Sequence, residues 1–326
     1  MRTINIEADA WPLREAFIIS RGAKTEAHTI TVTIEEDGFA GRGECVPYAR
    51  YGENEKDVVA AIRAQESALR DGLSREELQR NMPRGAARNA IDCALWDLEA
   101  KKTGLRVWQL AGLSQPMPRS TAYTISLDEP DVMREAARRA ADRPLLKIKM
   151  GGGNDIDRLR AVREGAPSPA LIVDANEAWK PEDVQPLAAE LAKLGVSLIE
   201  QPLPVKDDEA LREINSPIPL CADESVHGIE GMRRLVGLYD YVNVKLDKTG
   251  GLTEALAVIR CAERRGLRIM VGCMVSTSLA MAPAMLLAQR AEFVDLDGPL
   301  LLAKDRNPAL RYEGSEAHPP EPELWG

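Results

Sequence analysis

Eight short apolar segments recur through the last two thirds of the chain, and this repetition limits the fold more than any other feature. They lie at 121–126, 145–150, 170–175, 196–201, 218–223, 240–246, 267–272 and 292–298. Amphipathic helical patterns such as 181–195 separate them. Strand–helix alternation repeated eight times predicts a closed parallel barrel rather than an open sheet. Because no helical pattern follows the eighth segment, we predict an α/β fold with a modified TIM barrel, (β/α)7β.

The start of the chain has a different pattern, which is typical of a separate α+β domain. Two strands and two helices are predicted there, at 1–9, 28–36, 54–70 and 85–102. We therefore expect an α+β domain over 1–116, the barrel over 117–300, and a C-terminal tail over 301–326 that packs back on the first domain.

Composition excludes several classes of protein. No apolar stretch in the 326 residues approaches the length of a membrane span, and a net charge of −9 argues against nucleic-acid binding. The N-terminus lacks the apolar core of a signal peptide. Three widely spaced histidines make a zinc site improbable. The five cysteines form no C-x-x-C pair, so we expect reduced thiols in a cytoplasmic protein.

Five ionisable side chains occur near the ends of five successive predicted strands. They are Lys149, Asp174, Glu200, Asp223 and Lys245. The intervals of 25, 26, 23 and 22 residues each correspond to one strand–helix unit. The carboxyl ends of the strands are where active sites of such barrels lie. A single acid at a strand end is commonly a helix cap or an ion-pair partner, but five residues in one register favour a functional cluster.

The residue types in this cluster suit metal-assisted proton transfer. Three carboxylates are oxygen ligands of the kind that Mg²⁺ prefers. Lys149 and Lys245 belong to the second and sixth segments, which lie on opposite sides of a barrel, so they could act on the two faces of one carbon atom. Lys147 shares a strand face with Lys149 and could lower the pKa of its neighbour.

The motifs that carry these residues resemble those of the enolase superfamily, in its muconate-lactonising-enzyme-like branch. They are KIK (147–149), VDANEAW (173–179), IEQPL (199–203), ADES (222–225) and NVKLDKTGGLTEAL (243–256). Four further segments are most similar to those of dipeptide epimerases. These are WPLREAFIISRG (11–22), GECVPYARYGE (43–53), GAARNAIDCALWDL (85–98) and FVDLDGP (293–299).

The resemblance implies a role for each residue of the cluster, and a capping function for the N-terminal domain. Asp174, Glu200 and Asp223 would bind Mg²⁺. Lys149 and Lys245 would be the paired acid and base, and Lys147 would contact the substrate carboxylate. Four neighbours of the ligands are expected to orient them: Asn176, Gln201, Glu224 and Asn243.

Further residues are candidates for substrate binding. Asp295 and Asp297 lie on one face of the eighth predicted strand, where dipeptide epimerases hold the α-ammonium group of the substrate. Arg21 and Lys24 fall in a segment expected to be a loop that closes over the barrel mouth. Either could pair with a glutamate side-chain carboxylate. Thr124, on the first barrel strand, is a further candidate contact.

The activity implied is epimerisation of L-Ala-D/L-Glu or a related dipeptide, by 1,1-proton transfer through an enolate, in murein peptide recycling. A muconate cycloisomerase or an o-succinylbenzoate synthase-type lyase is the first alternative, but its substrate would leave Asp295 and Asp297 without a cationic partner. A non-catalytic binding protein on the same scaffold is the second, although this chain has lost no lysine and no metal ligand. The partner expected is a small dipeptide, with no nucleic acid and no membrane. The sequence leaves open whether the protein is a homo-oligomer.

Overall fold

The N-terminal part of the protein is an antiparallel sheet with helices packed on one face. The structure, a computed structural model, describes residues 1–326. The three strands, in sheet order, are β1 (Thr3–Ile19), β2 (Gly22–Glu36) and β3 (Phe39–Cys45). A 3₁₀ turn (Ala49–Tyr51) follows them. The helices are α1 (Glu55–Arg63), α2 (Glu66–Arg70), α3 (Arg75–Asn81), α4 (Ala86–Thr103) and α5 (Val107–Leu110).

Helix α4 lies between this sheet and the rest of the molecule, so it is buried on nearly every side. It packs closely on β3 because two glycines remove side chains from the contact. A Cβ atom at Gly41 would lie 2.2 Å from the Ala94 carbonyl oxygen, and one at Gly43 would lie 2.1 Å from that of Ala90. The prediction of a helix over 85–102 is confirmed, whereas the helix predicted over 54–70 is broken into α1 and α2.

The first two strands are longer than predicted and form one extended hairpin. Pairing of β1 with β2 continues to Ile19 opposite Gly22, with a register shift between Pro12 and Phe17. The expectation that Arg21 and Lys24 lie in a loop is therefore wrong for Lys24. Arg21 occupies the tight turn of the hairpin, and Lys24 is a residue of β2, paired with Phe17.

The barrel predicted from the eight apolar segments is confirmed. Its parallel strands are neighbours in chain order, and the Ala122 N–H donates to the Val294 carbonyl between the first and last strands (2.7 Å). The strands, after a short β4 (Arg119–Ser120), are β5 (Tyr123–Ile125), β6 (Leu145–Lys149), β7 (Ala170–Asp174), β8 (Val196–Glu200), β9 (Leu220–Ala222), β10 (Tyr241–Val244), β11 (Arg268–Gly272) and β12 (Phe293–Asp295).

Helices connect most strands on the outside of the barrel. They are α6 (Pro130–Arg139), α7 (Asp155–Gly165), α8 (Pro181–Lys193), α9 (Met232–Leu235), α10 (Leu246–Thr249), α11 (Leu252–Glu263), α12 (Ser278–Ala288) and α13 (Gly298–Leu301). The connection after β8 is a 3₁₀ helix (Val205–Glu213), and the one after β9 contains only the single turn of α9. None of the helices combines the length and apolar character needed to cross a membrane.

The last residues return to both parts of the molecule. Strands β13 (Tyr312–Glu313) and β14 (Glu316–Ala317) pair with β4 in a small antiparallel sheet. The chain end then packs on α4, where Trp325 Nε1 donates to the Cys93 carbonyl (3.1 Å) and the Gly326 N–H donates to Asp97 (2.7 Å). The domain limits drawn at residues 116 and 300 stay predictions.

Candidate active site

The strand register brings the predicted cluster to one end of the barrel. Lys149, Asp174 and Glu200 are the last residues of β6, β7 and β8 and are direct neighbours across the sheet. Asp223 and Lys245 come immediately after β9 and β10. Side chains two residues apart on a strand share a face. Ile172 and Leu198, two residues before Asp174 and Glu200, belong to an interior apolar cluster that is distinct from the main core. The five ionisable side chains therefore point into the barrel.

Each of the two predicted catalytic lysines pairs with a different acid. Lys149 Nζ donates to Asp174 Oδ2 at 2.6 Å, and Lys245 Nζ donates to Asp223 Oδ2 at 2.7 Å. Strands β6 and β10 lie four positions apart in the eight-stranded barrel, so the two ammonium groups approach from opposite walls. This arrangement gives access to both faces of a molecule bound between them.

Lys147 lies at the centre of the acidic cluster, not at its edge. Its Nζ is 2.6 Å from Glu200 Oε2, 2.8 Å from Asp295 Oδ2 and 3.3 Å from Asp174 Oδ2. Although burial opposes its charge, Asp295 and Glu200 raise the pKa of Lys147 well above its ordinary value. Lys147 is therefore a fixed cation that offsets the charge of three carboxylates.

The carboxylates differ in how easily they ionise. Burial alone would raise the pKa of Asp174, but Lys149 and Lys147 outweigh it and lower that pKa to about 2. Burial and the nearby charge of Asp174 raise the pKa of Glu200 to about 7. Because like charges in a buried site disfavour ionisation, a cation beside Glu200 would favour its ionised form.

The donor atoms of this cluster fit a hard divalent cation. Glu200 Oε2 and Asp295 Oδ1 are buried and accept no hydrogen bond, although Lys147 lies near the first of them. Buried carboxylate oxygens without hydrogen bonds are costly unless a cation lies beside them, as Lys147 does for Glu200 and as a metal ion could for the cluster. Three acidic side chains with oxygen ligands correspond to the preference of Mg²⁺, which also retains open positions for water or substrate.

Three of the four residues expected to orient the ligands do contact them. Asn243 Nδ2 donates to Glu200 Oε1 (2.7 Å), and the Asn176 N–H donates to Asp174 Oδ1 (2.9 Å). Gln201 Oε1 accepts from the Asp223 N–H (2.8 Å). The fourth, Glu224, instead accepts from Arg21 at 2.8 Å.

Asp295 and Asp297 both lie at the cluster, but not on one strand. Asp295 ends β12, whereas Asp297 lies beyond the strand and precedes α13. The prediction that the two share a strand face is wrong for Asp297, because the strand ends two residues before it. Asp297 Oδ2 accepts from the Thr124 N–H (2.7 Å). Burial and neighbouring Asp295 raise the pKa of Asp297 to about 7.

The hairpin of β1 and β2 covers the mouth of the barrel. Lys149 Nζ lies 5.7 Å from the centre of the Phe17 ring. Arg21 donates to the Asn176 carbonyl (2.9 Å) and to Glu224, so it bridges the loops after β7 and β9. Lys24 contacts neither loop, and its ammonium lies 5.1 Å from the Tyr48 ring centre.

Two residues at the site were not predicted. Glu177 accepts from Arg50 at 2.7 Å and from Arg21 at 3.3 Å, and so ties the hairpin to the barrel. Lys248 is fully buried and donates to the Asp223 side chain at 2.5 Å. Its spacing of three residues from Lys245, one helical turn, was the available signal.

Comparisons with known proteins agree with this geometry. Residues 131–322 match the family described as "Enolase C-terminal domain-like", and residues 1–112 match the "Mandelate racemase / muconate lactonizing enzyme, N-terminal domain". The chain belongs to the enolase superfamily. The resemblance seen in the sequence motifs is thereby confirmed. Enzymes of this superfamily use a lysine or histidine base together with a divalent metal.

Similar members of the superfamily include epimerases and racemases. The L-Ala-D/L-Glu epimerase of Escherichia coli is 46% identical over 98% of this chain and 100% of its own length. An N-acetyl-D-glutamate racemase from Pseudoalteromonas is 44% identical over 91% of this chain and 95% of its own. A solved structure of an enolase family member from Agrobacterium tumefaciens, with bound sodium and L-Ala-L-Glu, is 52% identical over the full length of both chains, with a TM-score of 0.98.

Proposed function

We propose that this protein is a Mg²⁺-dependent epimerase of L-Ala-D/L-Glu or closely related dipeptides. The observation that carries the proposal is the pair of lysines, Lys149 and Lys245, on opposite walls of one acidic cavity that also contains Asp295 and Asp297. The broader prediction of an isomerase acting on amino acid derivatives is confirmed by relatives at 46% and 44% identity that are named as an epimerase and a racemase.

The metal site that we propose consists of Asp174, Glu200 and Asp223. A Mg²⁺ ion bound there would offset the negative charge that develops on the substrate carboxylate. Asn243, Asn176 and Gln201 would hold the ligands in place through the hydrogen bonds described above. Lys147, at the centre of these carboxylates, would contact the substrate carboxylate.

The two catalytic lysines would exchange one proton at the same carbon atom. One lysine, as the free amine, removes the proton from the carbon next to the C-terminal carboxylate. The opposite lysine, as the ammonium ion, returns a proton to the other face, so the configuration inverts. The base must lose its proton before it can act; Asp223 holds the pKa of Lys245 well above its ordinary value, and a Mg²⁺ ion bound to the three acids would offset that attraction. Because the arrangement is nearly symmetric, either lysine could act first, depending on the enantiomer bound.

Different residues of the cavity would bind the ammonium group and the side-chain carboxylate of the dipeptide. Asp295 and Asp297 would bind the α-ammonium group of the first residue, and the Thr124 N–H would hold Asp297 in place. Arg21 already has carboxylate and carbonyl partners, whereas Lys24 has no ion pair. We therefore propose that Lys24 binds the side-chain carboxylate of the second residue.

Asp295 and Asp297 also argue against the alternative activities. A muconate or o-succinylbenzoate-type lyase handles substrates without an ammonium group and would leave this pair without a partner. The same holds for an N-acylated glutamate, although one relative at 44% identity is an N-acetyl-D-glutamate racemase. A non-catalytic binding protein would have no need of two lysines on opposite walls. The dipeptide proposal gives Asp295 and Asp297 a cationic partner.

The biological setting that we propose is murein peptide recycling in the cytoplasm. The resemblance to dipeptide epimerases implies this setting. All five cysteines are free thiols and four are fully buried, as expected for a protein kept in a reducing compartment.

The proposal is tested by incubating the purified enzyme with Mg²⁺ in D₂O and following deuterium uptake and inversion by NMR. The substrates are Ala-Glu, Ala-Ala, N-acetyl-glutamate and a muconate. We expect exchange and inversion at the C-terminal residue of Ala-Glu. Turnover of N-acetyl-glutamate or a muconate, without any dipeptide, would refute the assignment.

A lysine variant tests the two-sided mechanism. Lys245→Ala should abolish inversion of Ala-Glu, because one face of the carbon loses its proton donor. Exchange without inversion should persist for the one enantiomer that Lys149 deprotonates. Unchanged epimerisation by this variant would remove Lys245 from the reaction.

A further inference from the structure

Lys248 makes a set of contacts that no other lysine of the cavity makes. Its side chain is fully buried, and its three ammonium hydrogens have three acceptors. They are the Asp223 carbonyl oxygen, Asp223 Oδ1 at 2.5 Å and the Asn243 carbonyl oxygen at 2.9 Å. No hydrogen of Lys248 remains for a substrate, so this lysine faces the protein and not the cavity.

The contacts divide the two oxygens of Asp223 between two lysines. Oδ1 accepts from Lys248, whereas Oδ2 accepts from Lys245 at 2.7 Å. Lys245 and Lys248 lie at the start and within the single turn of α10, three residues apart. That turn therefore fixes the rotation of the Asp223 carboxylate and directs Oδ2 towards the cavity.

The same contacts couple Asp223 to a second acid of the site. The Asn243 carbonyl oxygen binds Lys248, and the Asn243 side chain donates to Glu200 Oε1 at 2.7 Å. Strands β9 and β10 are neighbours in the barrel. Lys248 thus links the ends of these strands and sets the spacing between Asp223 and Glu200.

We propose that Lys248 is a positioning residue for the metal site, which holds Asp223 so that only Oδ2 is offered to Mg²⁺. This inference rests on the proposed function, because it assumes the metal site described there. Groups that orient metal ligands in this way commonly contribute a factor of about 10 to 100 to metal affinity.

Electrostatics alone predicts the opposite effect. A buried ammonium group beside Asp223 repels a divalent cation, so its removal should strengthen Mg²⁺ binding if charge were its only influence. The two explanations therefore differ in the sign of the change. A measurement of metal affinity separates them without any assay of the reaction.

The test compares Lys248→Met with Lys101→Met, after metal removal by EDTA, by calorimetric titration with Mg²⁺. Lys101 is a matched control: it also pairs with an acid and a carbonyl, Asp97 (2.8 Å) and Ala40 (3.0 Å), but lies in the N-terminal domain. We expect the Mg²⁺ dissociation constant to rise about 10- to 100-fold for Lys248→Met and to stay unchanged for Lys101→Met. Epimerase activity of Lys248→Met should recover at saturating Mg²⁺.

An unchanged or lower dissociation constant in Lys248→Met would overturn the positioning role. Circular dichroism establishes folding, and if Lys248→Met does not fold, Lys248→Gln is titrated in its place with the same expectation. A weaker Mg²⁺ affinity together with no dipeptide turnover by the unaltered protein would retain the role of Lys248 and refute the proposed function. Failure of the positioning role and failure of the proposed function would therefore give different results.

Discussion

Asp297 is one of the two buried acids that we propose to bind the ammonium group of a dipeptide. It is 3% exposed, and its only backbone donor is the Thr124 N–H. Burial and Asp295 hold its pKa at about 7, so near neutral pH it is only partly ionised. A substrate ammonium group would stabilise the ionised form, which couples substrate binding to loss of a proton.

We therefore expect the affinity for Ala-Glu to depend on pH in a bell-shaped manner. Below pH 7 Asp297 is protonated and attracts the ammonium group less, and above about pH 8 the dipeptide loses its own charge. The measurement is KM from pH 5.5 to 9 at saturating Mg²⁺. Asp297→Asn should raise KM by about 10- to 100-fold and remove the acid limb. An acid limb that persists in Asp297→Asn would assign it to another group.

Single residues also show which parts of the site could be predicted from the sequence and which could not. The spacing of the strands was sufficient to locate Lys149, Asp174, Glu200, Asp223 and Lys245, because one repeat places one residue at each strand end. Lys248 and Asp297 depend on where a strand stops and a single helical turn begins. A turn of four residues has no hydrophobic period to detect, so only the three-residue spacing from Lys245 marked Lys248, and no signal marked the end of the strand before Asp297.

At the scale of elements, the hairpin of β1 and β2 is the part of the fold that the sequence indicated least well. Its distal residues are exposed or partly exposed on both faces. Without one buried face, a strand has no alternation of apolar and polar residues. Its length is set by pairing with the other strand and by contact with the barrel, as in the hydrogen bond from the Leu127 N–H to the Ile18 carbonyl (3.0 Å).

Arg21 should control whether this hairpin stays closed. Its guanidinium joins the hairpin turn to Asn176 and Glu224, each next to or near a proposed metal ligand. Arg21→Met should speed amide hydrogen exchange in residues 13–24 and raise KM, since the mouth opens more often. Hydrogen exchange by mass spectrometry measures the first effect. Unchanged exchange in that segment would show that the hairpin is held elsewhere.

Lys24 should act on specificity instead of closure. Its ammonium makes a contact with the Tyr48 ring and no ion pair, so its removal costs the hairpin little. Lys24→Met should lower kcat/KM for Ala-Glu by about 10-fold or more and leave that for Ala-Ala nearly unchanged. The rate of amide hydrogen exchange in residues 13–24 should match that of the unaltered protein. An equal loss on both dipeptides would contradict a carboxylate-binding role.

For the whole molecule, the interface between the N-terminal domain and the barrel contains two buried acids with different surroundings. Asp247 Oδ1 accepts from the Val46 N–H (3.0 Å) and Asn89 Nδ2 (2.9 Å). Asp92 uses both oxygens: Oδ1 accepts from Thr253 Oγ1 (2.6 Å) and Oδ2 from the Thr253 N–H (2.9 Å). Burial raises the pKa of Asp247 to about 7 and that of Asp92 to about 6.

These raised pKa values make the free energy of unfolding depend on pH. In the unfolded chain an aspartate ionises near pH 3.8, whereas buried Asp247 keeps its proton to about pH 7. Its contribution to stability is therefore complete below pH 3.8 and is lost as the pH rises to about 7. Near pH 8 the folded protein contains an ionised Asp247 that burial disfavours.

Asparagine at the two positions should have opposite effects. In Asp247→Asn the amide oxygen can accept both hydrogen bonds of Oδ1 without a charge, so the free energy of unfolding at pH 8 should rise by roughly 1–3 kcal/mol, and by less at pH 5.5. In Asp92→Asn the amide NH₂ must face either the Thr253 N–H or Gln79 Nε2, which donates to Oδ1 at 2.9 Å, so the protein should be destabilised by about 1–3 kcal/mol at both values. Thermal unfolding at pH 5.5 and 8 measures both variants. A loss of stability in Asp247→Asn that is equal at the two pH values would mean that this carboxyl acts only as a hydrogen-bond acceptor, and that its charge does not contribute to how the two domains are held together.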